Sequence, residues 1–280
     1  EIPRGYTRPV LMMSTDGVGT KLEIARQSNK WGGVGRDLVA MCVDDLAAAG
    51  AKPLGFVDYM AVGALDSERD SLIVASIAEG CALAGCALLG GETAVHPGVM
   101  PPDAVDLAGA VVGVVERGDE LSPTRVAEGD VVIGLHSPNL RSNGFSLVRR
   151  VLGSQIEEYA DMLLEPSVIY CPGVLEALET GGVHSAAHIT GGGIAENLER
   201  ALPPGLGTTI DTATWIPPSI FELLSDHGVG TEEMFGVFNM GIGFCLVADS
   251  GATQEILFIL RSFDPSVIGV VAAGSGVELN

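Results

Sequence analysis

The 280-residue chain reads as an α/β protein of two domains, and three features say so. Apolar stretches of strand length alternate with stretches of helical periodicity, the mark of mixed α/β architecture. A polar, turn-rich segment, "RGDELSPTRVAEGD" (117–130), interrupts that alternation. The composition, 47% hydrophobic against 18% charged, suits a compact globule of this length. The domains are placed at 1–117 and 118–280.

The elements follow in order. Residues 9–14, apolar and ending in "STDGVGTK", are expected as a strand. Residues 37–49 are expected as a helix, because Leu38, Cys42, Leu46 and Ala49 recur at helical spacing. Gly50 caps it and Pro53 blocks its continuation. A strand is expected over 54–63. A helix follows to about residue 85, with Ser67 as cap and Asp70 completing a capping box. Strands follow at 87–89 and 106–116. In the second domain strands are expected at 131–135, 186–189, 208–211, 241–247 and 267–273. Helices are expected at 143–152, 167–179, 194–201, 218–227 and 253–262.

Net charge is −21, which argues against a nucleic-acid backbone as partner. A free nucleotide's phosphates would also need metal ions for neutralisation. The only lysines are Lys21, Lys30 and Lys52, so a lysine inside a glycine motif stands out. Five cysteines without a C-x-x-C pair suit a reducing cytoplasm. No apolar run approaches the roughly 20 residues of a membrane helix, and nothing resembles a signal peptide.

Four glycine-bearing polar stretches sit at strand ends or helix starts: "TDGVGTK" (15–21), "GGET" (90–93), "SNGFS" (142–146) and "TGGGIAEN" (190–197). Glycine lets backbone N–H groups approach a ligand, and helix starts bind phosphate oxygens. None is a Walker A loop or a G-x-G-x-x-G fingerprint. Asp16, the pair Asp44–Asp45, Asp58 and Glu92 form an acidic set near these stretches. Carboxylates with phosphate are what Mg²⁺ prefers. Taken singly, Asp44 also reads as a solvated helix residue and Asp58 as a turn cap. His184 and His188 are four apart without the glutamate of a zinc motif. His188 enters the glycine loop and is a candidate proton carrier or phosphate donor. His96, His136, His184 and His227 read as turn or surface residues.

Seven motifs in order carry a resemblance: "TDGVGTKLEIA", "GRDLVAMCVDDLAAAGAKPLGFVDYMAVG", "GCALLGGETA", "LAGAVVGVVE", "SNGFSLVRRVL", "HITGGGIAENLERALP" and "FNMGIGFCLV". From about Leu11 onward the chain resembles the phosphoribosylformylglycinamidine cyclo-ligase family, also called aminoimidazole ribonucleotide synthetases. The resemblance implies an N-terminal half whose strands join a second subunit's in a barrel at a homodimer interface, and a C-terminal α/β layer. ATP and substrate would lie between the halves. It implies a cytoplasmic, ATP-dependent ligase that forms a C–N bond in the fifth step of purine synthesis.

By that resemblance Asp16, Asp45 and Glu92 would hold Mg²⁺. Gly17, Gly19, Thr20, Lys21, Asp58, Gly91 and Thr93 would join the ATP site, with Lys21 neutralising phosphate. Ser142, Asn143 and Gly144 would hold substrate phosphate or ribose, and His188, Thr190, Gly191 and Gly192 would serve the substrate side. His188, Asp16 and Lys21 would be catalytic. Three departures stand out. The family's glycine-rich segment covering ATP is absent before Glu1. The 151–166 connection is short, so a mobile loop is expected to be missing there. Arg141 stands where histidine is common, and Ser167–Val168 replace a Thr-Arg pair. Arg141 remains a possible phosphate ligand. A paralogue such as thiamine-monophosphate kinase or selenophosphate synthetase is the alternative.

Overall fold

The computed structural model describes residues 2–280. The chain divides into two compact units. The first holds the residues up to Leu46, Ala51–Arg117 and Arg141–Pro172. The second holds Ala47–Gly50, Gly118–Leu140 and Gly173–Asn280. Thus Arg141–Pro172, placed by sequence in the 118–280 domain, packs with the first unit.

The first unit runs β1 (Pro9–Gly17), α1 (Lys21–Ser28), α2 (Val34–Ala48), β2 (Lys52–Val62), α3 (Ser67–Ala84), β3 (Ala87–Val95) and β4 (Val105–Glu116). The returning segment adds α4 (Phe145–Leu152), α5 (Ala160–Leu163) and the start of α6 (Cys171–Leu178). The four strands are ordered β1-β4-β2-β3. β4 is antiparallel to both neighbours, and β2 and β3 are the parallel pair of a βαβ unit around α3.

Residues paired across strands point to the same face, and successive residues to opposite ones. One face therefore carries Ser14, Asp16, Phe56, Asp58, Gly109 and Val111. α2 covers it: a Cβ on Gly109 would come within 3.1 Å of Leu38 Cγ, and one on Gly113 within 2.7 Å of Leu46 Cδ1. α3 lies against α2, where a Cβ on Gly80 would meet Val39 Cβ at 2.9 Å. The other face leaves Leu11, Met13, Val57, Tyr59 and Leu89 exposed.

The second unit builds a six-stranded sheet. It contains β5 (Val131–His136), β6 (Val183–His188), β7 (Leu206–Ile210), β8 (Ile242–Ala248), β9 (Ser266–Ala273) and β10 (Gly276–Leu279), ordered β10-β7-β9-β5-β8-β6. Only β7 and β10 are parallel. Its helices are α7 (Gly193–Glu199), α8 (Ser219–Asp226), α9 (Thr231–Val237) and α10 (Thr253–Ile259). Val132, Ile189, Ile194, Leu198, Ile210, Ile242, Val247 and Ile268 lie in its core.

The differences from the sequence reading have local causes. β1 extends through Gly17 because β4 pairs with it as far as Ala108. β3 continues to Val95 because β2 pairs with it there, so "GGET" is strand and not loop. The cap of α3 is Asp66, one residue before Ser67, accepting from Glu68 N and Arg69 N. Asp70 Oδ2 still reaches back to Asp66 N at 3.0 Å, closing a reciprocal box. The helix expected from 167 starts at Cys171, since Ser167 is held in the extended chain ahead of it. The short elements α1, α5, α9 and β10 carried no distinct periodicity. The 151–166 connection is covered by the end of α4, a short 3-10 turn and α5.

Candidate active site

β1 delivers Asp16 to the helix-covered face, where Gly17 N donates to its Oδ1 at 2.7 Å. On the same face Ser14 Oγ donates to Asp45 Oδ2, from α2, at 2.9 Å. Both carboxylates lie close to the buried Cys42 thiol. Burial and then the charge of Asp16 push that thiol up to about 12, with Asp45 adding to the effect. Asp58 stands in the cross-strand row Asp16–Gly109–Asp58–Gly91. Burial raises its pKa above the ordinary carboxylate value. Gly91 makes room for it, since a Cβ there would sit 2.3 Å from Asp58 Oδ1. Glu92 falls in the next row, beside Tyr59, and is exposed. It thus points to the opposite face from Asp16 and Asp45. Among the described residues no three His, Cys, Asp or Glu side chains converge as a metal cluster.

The chain then turns at Gly19, φ +64°, into α1, whose N-cap is Thr20. Lys21, the first residue of α1, is fully buried. Its Nζ is 2.8 Å from Asp37 Oδ2 and 3.0 Å from each of the Arg141 and Glu165 carbonyl oxygens. Two of the ammonium's three N–H donors go to those carbonyls, and the Asp37 carboxylate supplies the opposite charge. Burial pulls the Lys21 pKa below the ordinary lysine value, with the Asp37 carboxylate opposing that shift. Here Lys21 ties α1 and α2 to the returning segment.

Two further buried groups complete that tie. Asp37 Oδ1 accepts from Ser167 N at 2.9 Å and from the Ser167 hydroxyl, while Arg36 Nε donates to Ser167 O at 2.9 Å. Asp44, with no exposed side chain, accepts from Tyr170 N and Cys171 N, both at 2.9 Å. Its other oxygen takes Arg141 Nη2 at 2.6 Å. The Arg141 guanidinium lies 4.9 Å from the Tyr170 ring centroid and also donates to Val168 O. Arg141 is thus a buried clamp, held at φ +59° by these contacts. Asp44 is likewise not a solvated helix residue. One signal was legible: 37, 41 and 44 share a helical stripe, so two acids flank Met41 on the apolar side of α2.

The network brings two glycine-bearing helix starts together. Thr20 Oγ1 lies 3.2 Å from Ser146 Oγ, and the Lys21 ammonium lies 5.5 Å from the Phe145 ring centroid. Gly144, φ +79°, is the residue from which α4 springs. In the same loop Ser142 Oγ is buried and makes no hydrogen bond. A buried hydroxyl without a partner costs roughly 1–3 kcal/mol. Asn143 contributes only a weak contact to Met41 sulfur at 4.0 Å.

In the second unit His188 closes β6, is 6% exposed, and stacks on Phe244 with centroids 6.3 Å apart. Thr190–Gly193 follows as a tight loop held by one amide. Asn197 Nδ2 donates to Gly193 O at 2.7 Å and Gly191 O at 3.2 Å, while Thr190 Oγ1 donates to Asn197 Oδ1. Gly192 and Gly193 have φ of +92° and +70°. A Cβ on Gly193 would lie 1.9 Å from Phe235 O, so only glycine fits. Asn197 was within the motif but had no assigned role. His184 is occupied elsewhere, with Nδ1 2.8 Å from Asp130 Oδ2.

Comparison with known proteins gives the family. The family model "AIR synthase related protein, N-terminal domain" matches residues 6–115, and its C-terminal counterpart matches residues 127–280. A phosphoribosylformylglycinamidine cyclo-ligase of Bacillus licheniformis is 46% identical, covering 99% of this chain and 84% of its own. One from Thermosynechococcus vestitus is 45% identical, covering 100% and 86%. The trifunctional purine biosynthetic protein adenosine-3 of Gallus gallus is 48% identical over 90% of this chain and 27% of its own. Among solved structures, hydrogenase maturation protein HypE in complex with ATP superposes with a TM-score of 0.72 at 20% identity, covering 94% of this chain and 77% of its own. Thiamine-monophosphate kinase from Stenotrophomonas maltophilia K279a gives 0.68 at 19% identity, covering 99% and 87%. These two share the fold. Matched by both family models and by nearly full-length cyclo-ligases, the chain belongs to the AIR synthase family of phosphoribosylformylglycinamidine cyclo-ligases.

Proposed function

We propose that the protein closes the imidazole ring of 5-aminoimidazole ribonucleotide from formylglycinamidine ribonucleotide, using ATP. The γ-phosphoryl group passes to the formamide oxygen, the substrate's own nitrogen attacks that carbon, and phosphate leaves. The products are the aminoimidazole, ADP and phosphate. The identity to cyclo-ligases over nearly the whole chain supports this reading. The observation that carries it at the level of residues is the joining of the 15–21 and 142–146 loops, beside an unbonded buried hydroxyl at Ser142.

Phosphoryl transfer asks the protein for positioning and charge neutralisation. The backbone N–H of Gly19 and the hydroxyls of Thr20 and Ser142 are assigned to phosphate oxygens, Gly17 holding Asp16 beside them through its own N–H, with Asn143 and Gly144 at substrate phosphate or ribose. Asp58, Gly91 and Thr93 remain candidates for the nucleotide end. Mg²⁺ sites in such enzymes use one or two carboxylates, the rest coming from phosphate and water. Asp16 and Asp45, both near the Cys42 thiol, fit that donor set; Glu92, on the other face of the sheet, is left out of it. When bound, the ion neutralises phosphate charge. Lys21 acts through the fold, as a positioning residue. His188, fixed against Phe244, is assigned to carry a proton on the substrate side, with Thr190, Gly191 and Gly192 binding substrate.

A homodimer is part of the proposal. Leu11, Met13, Val57, Tyr59 and Leu89 leave an apolar face open on the four-stranded sheet, of the kind that marks an interface. A second copy of the chain is the assigned occupant. The activity is tested with purified protein, ATP and formylglycinamidine ribonucleotide, following the aminoimidazole product by mass. Phosphorylation of thiamine monophosphate with no aminoimidazole would replace this reading with the paralogue's.

A further inference from the structure

α3 ends in a turn with a specific side-chain consequence. Gly85 takes φ +68°, its N–H reaches Ala82 O at 3.2 Å, and Cys86 N reaches Cys81 O at 3.0 Å. This six-to-one closure folds the second residue past the helix back onto the last helical turn, where the two side chains normally make an apolar contact. Here both are thiols. The closure sets Cys86 back over the turn that carries Cys81. Cys81 is 1% exposed, whereas Cys86 is half-buried.

The two sulfurs are not equivalent. The neighbouring Cys81 thiol lowers the Cys86 pKa against the opposing effect of burial. The same pairing, with burial, pushes Cys81 up. Cys42, Cys171 and Cys245 are buried and their thiols are raised by burial. Thiolate character and access decide which cysteine is oxidised. Cys86 is the one that combines both, and the turn brings a second thiol back toward it.

We propose that Cys81 and Cys86 form a peroxide-reactive dithiol, with Cys86 as the attacking sulfur and Cys81 as the resolving one. The Cys86 thiolate attacks a hydroperoxide: an S–O bond forms, the O–O bond breaks, and water leaves once a proton is taken up. Cys86 is oxidised to the sulfenic acid and the peroxide is reduced. The Cys81 sulfur then attacks Cys86: the S–S bond forms, the S–O bond breaks, and the hydroxide leaves as water with the Cys81 proton. In sum, two thiols and one H₂O₂ give one disulfide and two waters. A small-molecule dithiol reverses it. The backbone bond between the two residues keeps their Cα atoms close, as a disulfide requires. The site is independent of the cyclo-ligase reading.

The test uses the full chain, reduced and then exposed to H₂O₂ at neutral pH. Non-reducing peptide maps should show a bond joining Cys81 to Cys86, a mass lower by two hydrogens, and the other three cysteines still alkylated only after unfolding. Cys81→Ser should trap sulfenic acid at Cys86 as a dimedone adduct, and Cys86→Ser should give neither product. The proposal is overturned if Cys86 goes to sulfinic acid in the wild type while Cys81 stays reduced. It is equally overturned if the native protein's first oxidised sulfur is Cys42, Cys171 or Cys245. The wild-type map decides the matter even if a serine variant fails to fold.

Discussion

Lys21→Met separates a phosphate ligand from a buried strut. Methionine keeps the length and apolar stem of lysine but removes the cation. Asp37 then remains buried and charged, facing a thioether, and the Arg141 and Glu165 carbonyls lose their donor. Breaking a buried ion pair from one side costs about 3–5 kcal/mol, most of it for the stranded charge. Against a typical total of about 5–15 kcal/mol this is a large fraction. At about 2–4 °C per kcal/mol for a protein of this general size, the melting temperature should fall by about 6–20 °C. Adding Asp37→Asn removes the stranded charge and should recover more than half of the loss. The assay is thermal unfolding of the three variants beside the KM for ATP, measured well below the lowered melting temperature. A Lys21→Met protein that melts within about 2 °C of wild type while its ATP KM rises tenfold would refute the strut and return Lys21 to the phosphates.

Other predictions follow from the same geometry. Asp16→Asn should leave the melting temperature near wild type but cut turnover at least a hundredfold, about 2.7 kcal/mol of barrier; a loss within threefold would remove Asp16 from the metal site. Burial raises the Asp58 pKa, so the folded state holds that proton more tightly than the unfolded one. Stability is then lost as pH rises from the ordinary aspartate range through the raised folded value. Asp58→Asn should therefore melt higher than wild type at pH 7, and the gap should close as the pH falls below about 4; an equal gap at both pH values contradicts the cause given. Gly193→Ala should cost more than about 1 kcal/mol in urea unfolding, because neither φ +70° nor the Phe235 carbonyl admits a Cβ. Met13→Lys, at a residue 76% exposed on the open sheet face, should leave the circular dichroism unchanged and shift the protein toward monomer in sedimentation. An unchanged dimer would move the interface elsewhere.

What the sequence determined by itself is what short-range physics controls. Apolar spacing marked α2 and α3 and most of the strands, with errors at their ends. Glycines that need positive φ marked the ends of α2 and α3, at Gly50 and Gly85. The ordered motifs carried the family, and the glycine-bearing stretches at 142–146 and 190–197 marked where helices α4 and α7 begin. Tertiary structure alone decided which charges meet. The bonds of Lys21 to Arg141 and of Asp44 to Tyr170 span 120 and 126 residues, a separation that no local period encodes. They draw Arg141–Pro172 into the first unit and bury Lys21 and Arg141 in it. Register decided the fate of Glu92. In a strand one residue's step reverses the face, so its pairing with Tyr59 puts it across the sheet from Asp16 and Asp45. Propensity tells a strand that it is a strand, but only its neighbours tell it which way each side chain points.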